Sequence, residues 1–406
     1  MRQPIISPLA LLCIALTCSA SNVSGVLKKP ARCVSTDSTP AGSGPLGSKA
    51  DSRQRMLQER ARSILEAYRV KSGFPGAVAA ALLPDGQLIS VAVGVADRER
   101  KTPMKPGSRM LGGSTGKTFF AALALQLVAE KKMRLDDPVR MYLGRKPWYA
   151  RLPNANELTL RMLMNHTSGL GGYDEKFMRS LIAEPARERT HTELIESLLD
   201  KKPLFPAGER FEYTDLNYVL LAMVCEEVMR RPAVAEIQRR LLKPLGLRDT
   251  IPSDRQRLPR LVPGYAGASN PFGGDAMMKQ GQLTLNPQFE WAGGGYATTA
   301  GDLARWIAAF CEGRAFDSSL WPEVVRGVDA PSLGPGSKYG LGIHIDKTSA
   351  GTAYGHGGYF PGYVSWVRWY PDHRLAVALQ INTSDDKLFA RPMNEVLDEL
   401  ATALIK

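Results

Sequence analysis

The chain has 406 residues, enough for one large domain or two ordinary ones. Its 44% hydrophobic and 23% charged residues are the proportions of a globular protein and argue against a disordered chain. The formal charge of +12 is spread along the sequence with acids among the bases, so it reads as a solvated basic surface. No like-charge run or aromatic-interleaved basic stretch points to nucleic acid.

In chain order, Arg2 precedes an apolar stretch over residues 5–16, followed by Thr17-Cys18-Ser19-Ala20. This is the layout of a signal peptide over residues 1–20, too short to span a bilayer. Thr17 fits poorly before a lipid-modified cysteine, so the expectation is export to the periplasm or beyond, with no membrane span after cleavage. Residues 21–50 are rich in Ser, Gly and Pro and read as a linker. Cys33, Cys225 and Cys311 would remain, at spacings that make neither a zinc site nor a disulfide framework. The other histidines, His191, His344 and His373, lack partners at ligand spacing, so neither a metal nor a cofactor is implied.

The domain proper is expected over residues 51–406. Met56, Ala61, Ile64, Leu65 and Tyr68 recur at helical spacing over residues 51–69. Residues 77–83 and 88–95 are apolar runs around Pro84-Asp85-Gly86, a hairpin signal. An apolar helix is expected over 118–130, and a mostly helical region over about 135–290. Residues 363–370 and 375–382 flank Pro371-Asp372-His373-Arg374 as a second hairpin, and 386–406 reads as a closing helix. The pattern is α+β: an antiparallel sheet of N- and C-terminal strands, flanked by helices, plus a helical region. No internal repeat is visible.

The stretch Gly112-Gly113-Ser114-Thr115-Gly116-Lys117-Thr118 carries the most chemistry. A phosphate-binding loop would need glycine where Leu111 stands, and a strand where Lys105-Pro106-Gly107-Ser108 stands. Gly112, Ser114 and Gly116 match a nucleophile elbow, with Asp302 and His356 following in triad order, but an elbow needs a longer buried strand before it. The third reading is S-x-x-K at a helix start. There Lys117 shares a helical face with Ser114, and the helix N-terminus favours an alkoxide and a neutral lysine base.

Further motifs decide among these readings. They are Phe211-Glu212-Tyr213-Thr214-Asp215, Tyr354-Gly355-His356-Gly357-Gly358 and Asn165-His166-Thr167-Ser168-Gly169-Leu170. Pro206-Ala207-Gly208-Glu209, Pro244-Leu245-Gly246-Leu247, Gly293-Gly294-Gly295-Tyr296 and Tyr339-Gly340-Leu341-Gly342 complete the set. With them the chain resembles the serine β-lactamase and penicillin-binding superfamily, in its class C-like branch, which also holds D-Ala-D-Ala carboxypeptidases, D-aminopeptidases and esterases.

The resemblance implies that Ser114 is acylated while Lys117 and Tyr213 move its proton. It also implies that the N–H groups of Ser114 and Tyr359 hold the oxyanion, and that Asp215, His356, Gly357 and Gly358 contact substrate. Asn165-His166-Thr167-Ser168-Gly169 is taken as a structural turn. Two positions depart from the lactamase pattern. Asp215 stands for the asparagine of Y-x-N, and His356 for the lysine of K-T-G, charged only near or below pH 6.5. Both favour an esterase or peptidase acting on a small ester, peptide or β-lactam-like molecule that is less anionic than a penicillin. The alternatives are a class C-type β-lactamase, a D-Ala-D-Ala carboxypeptidase, or a sensor that acylates without turnover. The sequence leaves the oligomeric state open.

Overall fold

The computed structural model describes residues 49–405; the expected signal peptide, nearly all of the linker and Cys33 lie outside the described residues. The strands are β1 (Gly76–Leu82), β2 (Leu88–Asp97), β3 (Thr102–Pro103), β4 (Met110–Leu111), β5 (Ile251–Pro252), β6 (Met278–Lys279) and β7 (Gln282–Leu283). They continue with β8 (Tyr296–Thr298), β9 (Val328–Asp329), β10 (Lys338–Tyr339), β11 (His344–Thr348), β12 (Gly351–Phe360), β13 (Tyr363–Tyr370) and β14 (Leu375–Ile381). The longer helices are α1 (Lys49–Ser72), α2 (Lys117–Ala129), α3 (Asp215–Met229), α4 (Ala300–Cys311) and α5 (Met393–Ile405), with shorter helical segments between α2 and α4.

Both sequence hairpins form. Gly86, at φ 83°, closes the β1–β2 turn by donating its N–H to the Leu83 carbonyl, a conformation that favours glycine. β1 then pairs antiparallel with both β2 and β14, so Ala77 faces Val93 on one side and Ile381 on the other. The result is a nine-stranded sheet in the order β3-β2-β1-β14-β13-β12-β11-β10-β9, built from both ends of the chain.

Alternation along these strands sorts side chains onto two faces. Ala77, Ala79, Val91, Val93, Val377 and Leu379 pack under α1 and α5, against Leu57, Leu65, Val396 and Leu400. Val78, Ala80, Val367, Ala376 and Ala378 face the opposite way, toward α4 and the helical half. In that half α2 is buried almost all round, as its unbroken apolar run requires.

Two boundaries differ from expectation. The closing helix begins at Met393, after a 3-10 turn at Asp386–Leu388, because Pro392 disfavours a helical Arg391 before it. The helical region also ends earlier than residue 290. Residues 251–286 hold only short strands and loops, since Pro252, Pro259, Pro263 and Pro271 and the glycines among them break any helix. Among the described residues no helix is long and apolar enough to cross a membrane.

Candidate active site

Ser114 lies in a 3-10 turn, Gly113–Gly116, that runs directly into α2 at Lys117. The turn is wedged between the edge of β12 and the loop before β8. β11 pairs with β12 only as far as Gly355, so among the described residues His356–Phe360 has no strand on that side. The turn fills the gap at backbone distance. A Cβ on Gly358 would sit 1.9 Å from the Gly112 carbonyl oxygen, and one on Gly113, which is at φ 52°, would sit 2.5 Å from the Tyr359 nitrogen. On the other side a Cβ on Gly116 would fall 1.6 Å from the Gly294 carbonyl oxygen. These glycines are required by close approach of main chain to main chain. The backbone N–H of Tyr359 is thereby held beside the serine turn.

One turn along, Lys117 is fully buried. Its ammonium donates to Ser114 Oγ at 3.0 Å, to Asp215 Oδ1 at 2.5 Å and to the Gly293 carbonyl oxygen. Three donors meet three acceptors, which is the full capacity of a protonated lysine. Burial pulls the Lys117 pKa down, but the charge and hydrogen bond of Asp215, together with Tyr213, outweigh it and the net shift is upward. The expected neutral lysine base is therefore corrected: the N-terminal helix field is small beside a carboxylate in contact.

Asp215 owes its place to α3, which it opens behind Thr214. The Thr214 hydroxyl caps the helix by accepting the Leu216 N–H. Tyr213, two residues earlier, lies with its ring centroid 4.9 Å from Lys117 Nζ. Its hydroxyl is buried without a well-formed hydrogen bond. Burial pushes the phenol up to about 12, against the charge of Lys117, which lowers it, while Asp215 raises it further. Ser114, Lys117, Tyr213 and Asp215 are thus brought together.

His356 is not placed as expected. It is 1% exposed, on the strand beneath the site. Its Nδ1–H donates to the Gly357 carbonyl oxygen at 2.5 Å, so Nε2 accepts from the Tyr339 hydroxyl at 2.9 Å. Burial, then His344 and Lys117, hold it well below the usual histidine range. Both nitrogens are occupied within the fold, so neither is free for the expected titrating contact to a substrate carboxylate. The elbow triad is not assembled either. β4 is two residues long and pairs antiparallel with β8, and the Asp302 carboxylate accepts from Asp249 N–H and the Thr250 hydroxyl, with no bond to His356.

Four residues at the site were not foreseen. Gly293 supplies a carbonyl to Lys117, a backbone role that only the Gly293-Gly294-Gly295 run could have signalled. Trp291 turns the chain there at φ 35° and ψ −108°, a strained geometry for a non-glycine costing about 1–3 kcal/mol. Its ring stacks on His191 at 3.4 Å, which helps hold the kink. Glu290 has a buried Oε2 with no hydrogen-bond partner. Burial first, and then Asp215, push its carboxyl up to about 8, with Lys117 opposing. The Tyr173 hydroxyl, also buried and unpartnered, is raised by burial and by Asp215 and Glu290. Among the described residues Cys225 and Cys311 are free thiols. Among the described residues no cluster of His, Cys, Asp or Glu is arranged to hold a metal.

Comparison with known proteins shows the family. The family profile described as Beta-lactamase matches residues 61–402. The chain belongs to the beta-lactamase family. It is 26% identical over 332 residues to a D-aminopeptidase of Brucella anthropi, covering 80% of this chain and only 59% of that protein. It is 28% identical over 341 residues to esterase EstB of Burkholderia gladioli, covering 76% of this chain and 86% of that one. Among solved structures, a D-stereospecific amidohydrolase from Streptomyces sp. superposes with a TM-score of 0.70 at 30% identity, over 82% of this chain and 97% of the other. This beta-lactamase-family chain is accordingly a serine hydrolase.

Proposed function

We propose that the chain is an exported hydrolase that forms an acyl-enzyme on Ser114 from small ester or amide substrates lacking a carboxylate near the scissile bond. The observation that carries this reading is the Lys117 ammonium donating to Ser114 Oγ while pinned by Asp215 and the Gly293 carbonyl. A cation so placed stabilises an alkoxide but cannot accept its proton. That task falls to Tyr213, in its phenolate form, which Lys117 favours electrostatically.

Ser114 Oγ then bonds to the substrate carbonyl carbon as its proton passes to Tyr213. The oxyanion takes hydrogen bonds from the N–H groups of Ser114 and Tyr359. Tyr213 returns the proton to the leaving oxygen or nitrogen as that bond breaks. Water repeats the sequence to free the acid and restore Ser114. Asp215, beside the site, suits neutral or amine-bearing substrates and opposes anionic ones. Arg2 and the apolar run over residues 5–16 support export to the periplasm or beyond.

Intact-protein mass spectrometry with a fluorophosphonate probe, run alongside p-nitrophenyl ester turnover, tests the reading. One adduct and multiple turnovers are expected for the wild type, with both lost in Ser114→Ala. An equal adduct on Ser114→Ala rules out the nucleophile, and an adduct without turnover makes the chain a sensor.

A further inference from the structure

His166 belongs to the segment read from sequence as a plain turn. It is fully buried and sits at φ 60°, in the left-handed region. From there it reaches the active-site segment at two points. Its carbonyl oxygen accepts the Glu212 N–H at 2.9 Å, and its Nδ1 accepts the Thr214 N–H at 3.4 Å. The Asn217 side-chain amide lies 3.0 Å from the same nitrogen. Asn217 Oδ1 already accepts the Ser168 hydroxyl at 2.6 Å, so it is the NH2 group that faces the ring. With two donors aimed at Nδ1, the proton is on Nε2 and the imidazole is neutral. Nε2 itself is buried without an acceptor, among the rings of Phe211, Tyr218 and Tyr339. A neutral ring tolerates that setting, and a cation would not.

Tyr213 is the one residue between the two anchors. Its ring packs on the imidazole with centroids 4.3 Å apart and an interplanar angle of 34°. Tyr213 is therefore gripped by its main chain on both sides and by its ring face, leaving its hydroxyl toward Lys117 and Ser114. We infer that His166 is a positioning residue that fixes Tyr213 for proton transfer. The inference rests on the role given to Tyr213 above, since His166 reaches the chemistry only through it.

A double-mutant cycle separates this from general structural support. His166→Phe keeps a ring against Tyr213 but removes the Nδ1 acceptor. His166→Asn gives up the ring, tolerates the left-handed backbone and offers an acceptor oxygen. Each is made in the wild type and in Tyr213→Phe, with kcat and KM measured on p-nitrophenyl butyrate and thermal unfolding as the folding check. In the wild type, His166→Phe should lower kcat by roughly ten- to a hundredfold, the scale of a misplaced catalytic group, with KM little changed. His166→Asn should fall in between. In the Tyr213→Phe background neither change should cost a further loss. The same fold-loss in both backgrounds, or an unaltered kcat, overturns the inference while leaving Tyr213 in place. A Tyr213→Phe enzyme as active as wild type removes the proposed mechanism instead. Should His166→Phe not fold, the cycle with His166→Asn decides by the same comparison.

Discussion

Asp215 Oδ1 lies 2.5 Å from Lys117 Nζ, across 98 residues of sequence, and this contact sets the charge state of the whole site. It holds the lysine protonated against a burial that would otherwise discharge it. Burial above all, with the negative charge of Asp215 added to it, keeps the Tyr213 phenol from ionising easily.

The first prediction follows directly. In the wild type kcat/KM should rise with pH into the alkaline range, because the productive form has lost the Tyr213 proton. Asp215→Asn removes a charge that raises both Lys117 and Tyr213. The basic limb should therefore move to lower pH, by roughly one to three units, the usual reach of a neighbouring charge. Profiles on a p-nitrophenyl ester check it, and a limb that stays put or moves upward contradicts the assignment.

Substrate choice gives the second. With His356 neutral and enclosed, β12 offers no cation to a β-lactam carboxylate. A missing charge-assisted hydrogen bond costs about 1.5–3 kcal/mol, or roughly ten- to a hundredfold. Acetate and butyrate esters should be hydrolysed faster than a chromogenic cephalosporin by at least that factor. The ratio should not grow as pH falls from neutral toward the ordinary histidine range, since burial first, and then His344 and Lys117, hold His356 well below it. A cephalosporin preference growing on acidification would restore His356 as a contact.

Third, Gly358→Ala places a methyl 1.9 Å from the Gly112 carbonyl oxygen, where neither main chain can yield cheaply. The serine turn must shift away from β12 and from the Tyr359 N–H. A loss of about a hundredfold or more in kcat/KM is expected from such a displacement. Fluorophosphonate labelling should slow in parallel; labelling at the wild-type rate would count against the packing described.

Fourth, Glu290 ties stability to pH. Its folded-state carboxyl is raised from 4.5 to about 8, so between those values the native state holds a proton that the unfolded chain has released. Stability must fall as pH rises through that window, at up to about 1.4 kcal/mol per unit. Glu290→Gln should flatten the dependence and unfold later than wild type at pH 8. Denaturant titrations at pH 5 and pH 8, as a pair of points, check it, and parallel shifts in both proteins would refute it.

The sequence carried the parts of the site defined by side-chain type. Ser114 and Lys117 share a helix turn, and the hairpins around Gly86 and Arg374 announced the sheet that supports them. What it could not carry were states fixed by distant neighbours. Lys117 was read as a neutral base because its ionisation depends on a contact with Asp215 and on a backbone carbonyl from Gly293. No residue type marks a main-chain acceptor. The sequence leaves His356 as a titrating substrate contact because nothing local shows that Tyr339 and His344 enclose it. The early end of the helical region is legible in Pro252, Pro259, Pro263 and Pro271.

The central sheet ends in strands of two residues on both sides, Thr102–Pro103 and Val328–Asp329. Proline at one margin has no N–H to offer an incoming strand, and at the other Asp329 is paired with Lys338, placing charge along the rim. Neither margin can serve as a template on which another chain adds strand by strand. Blunt margins of this kind protect a nine-stranded sheet from runaway stacking into aggregates.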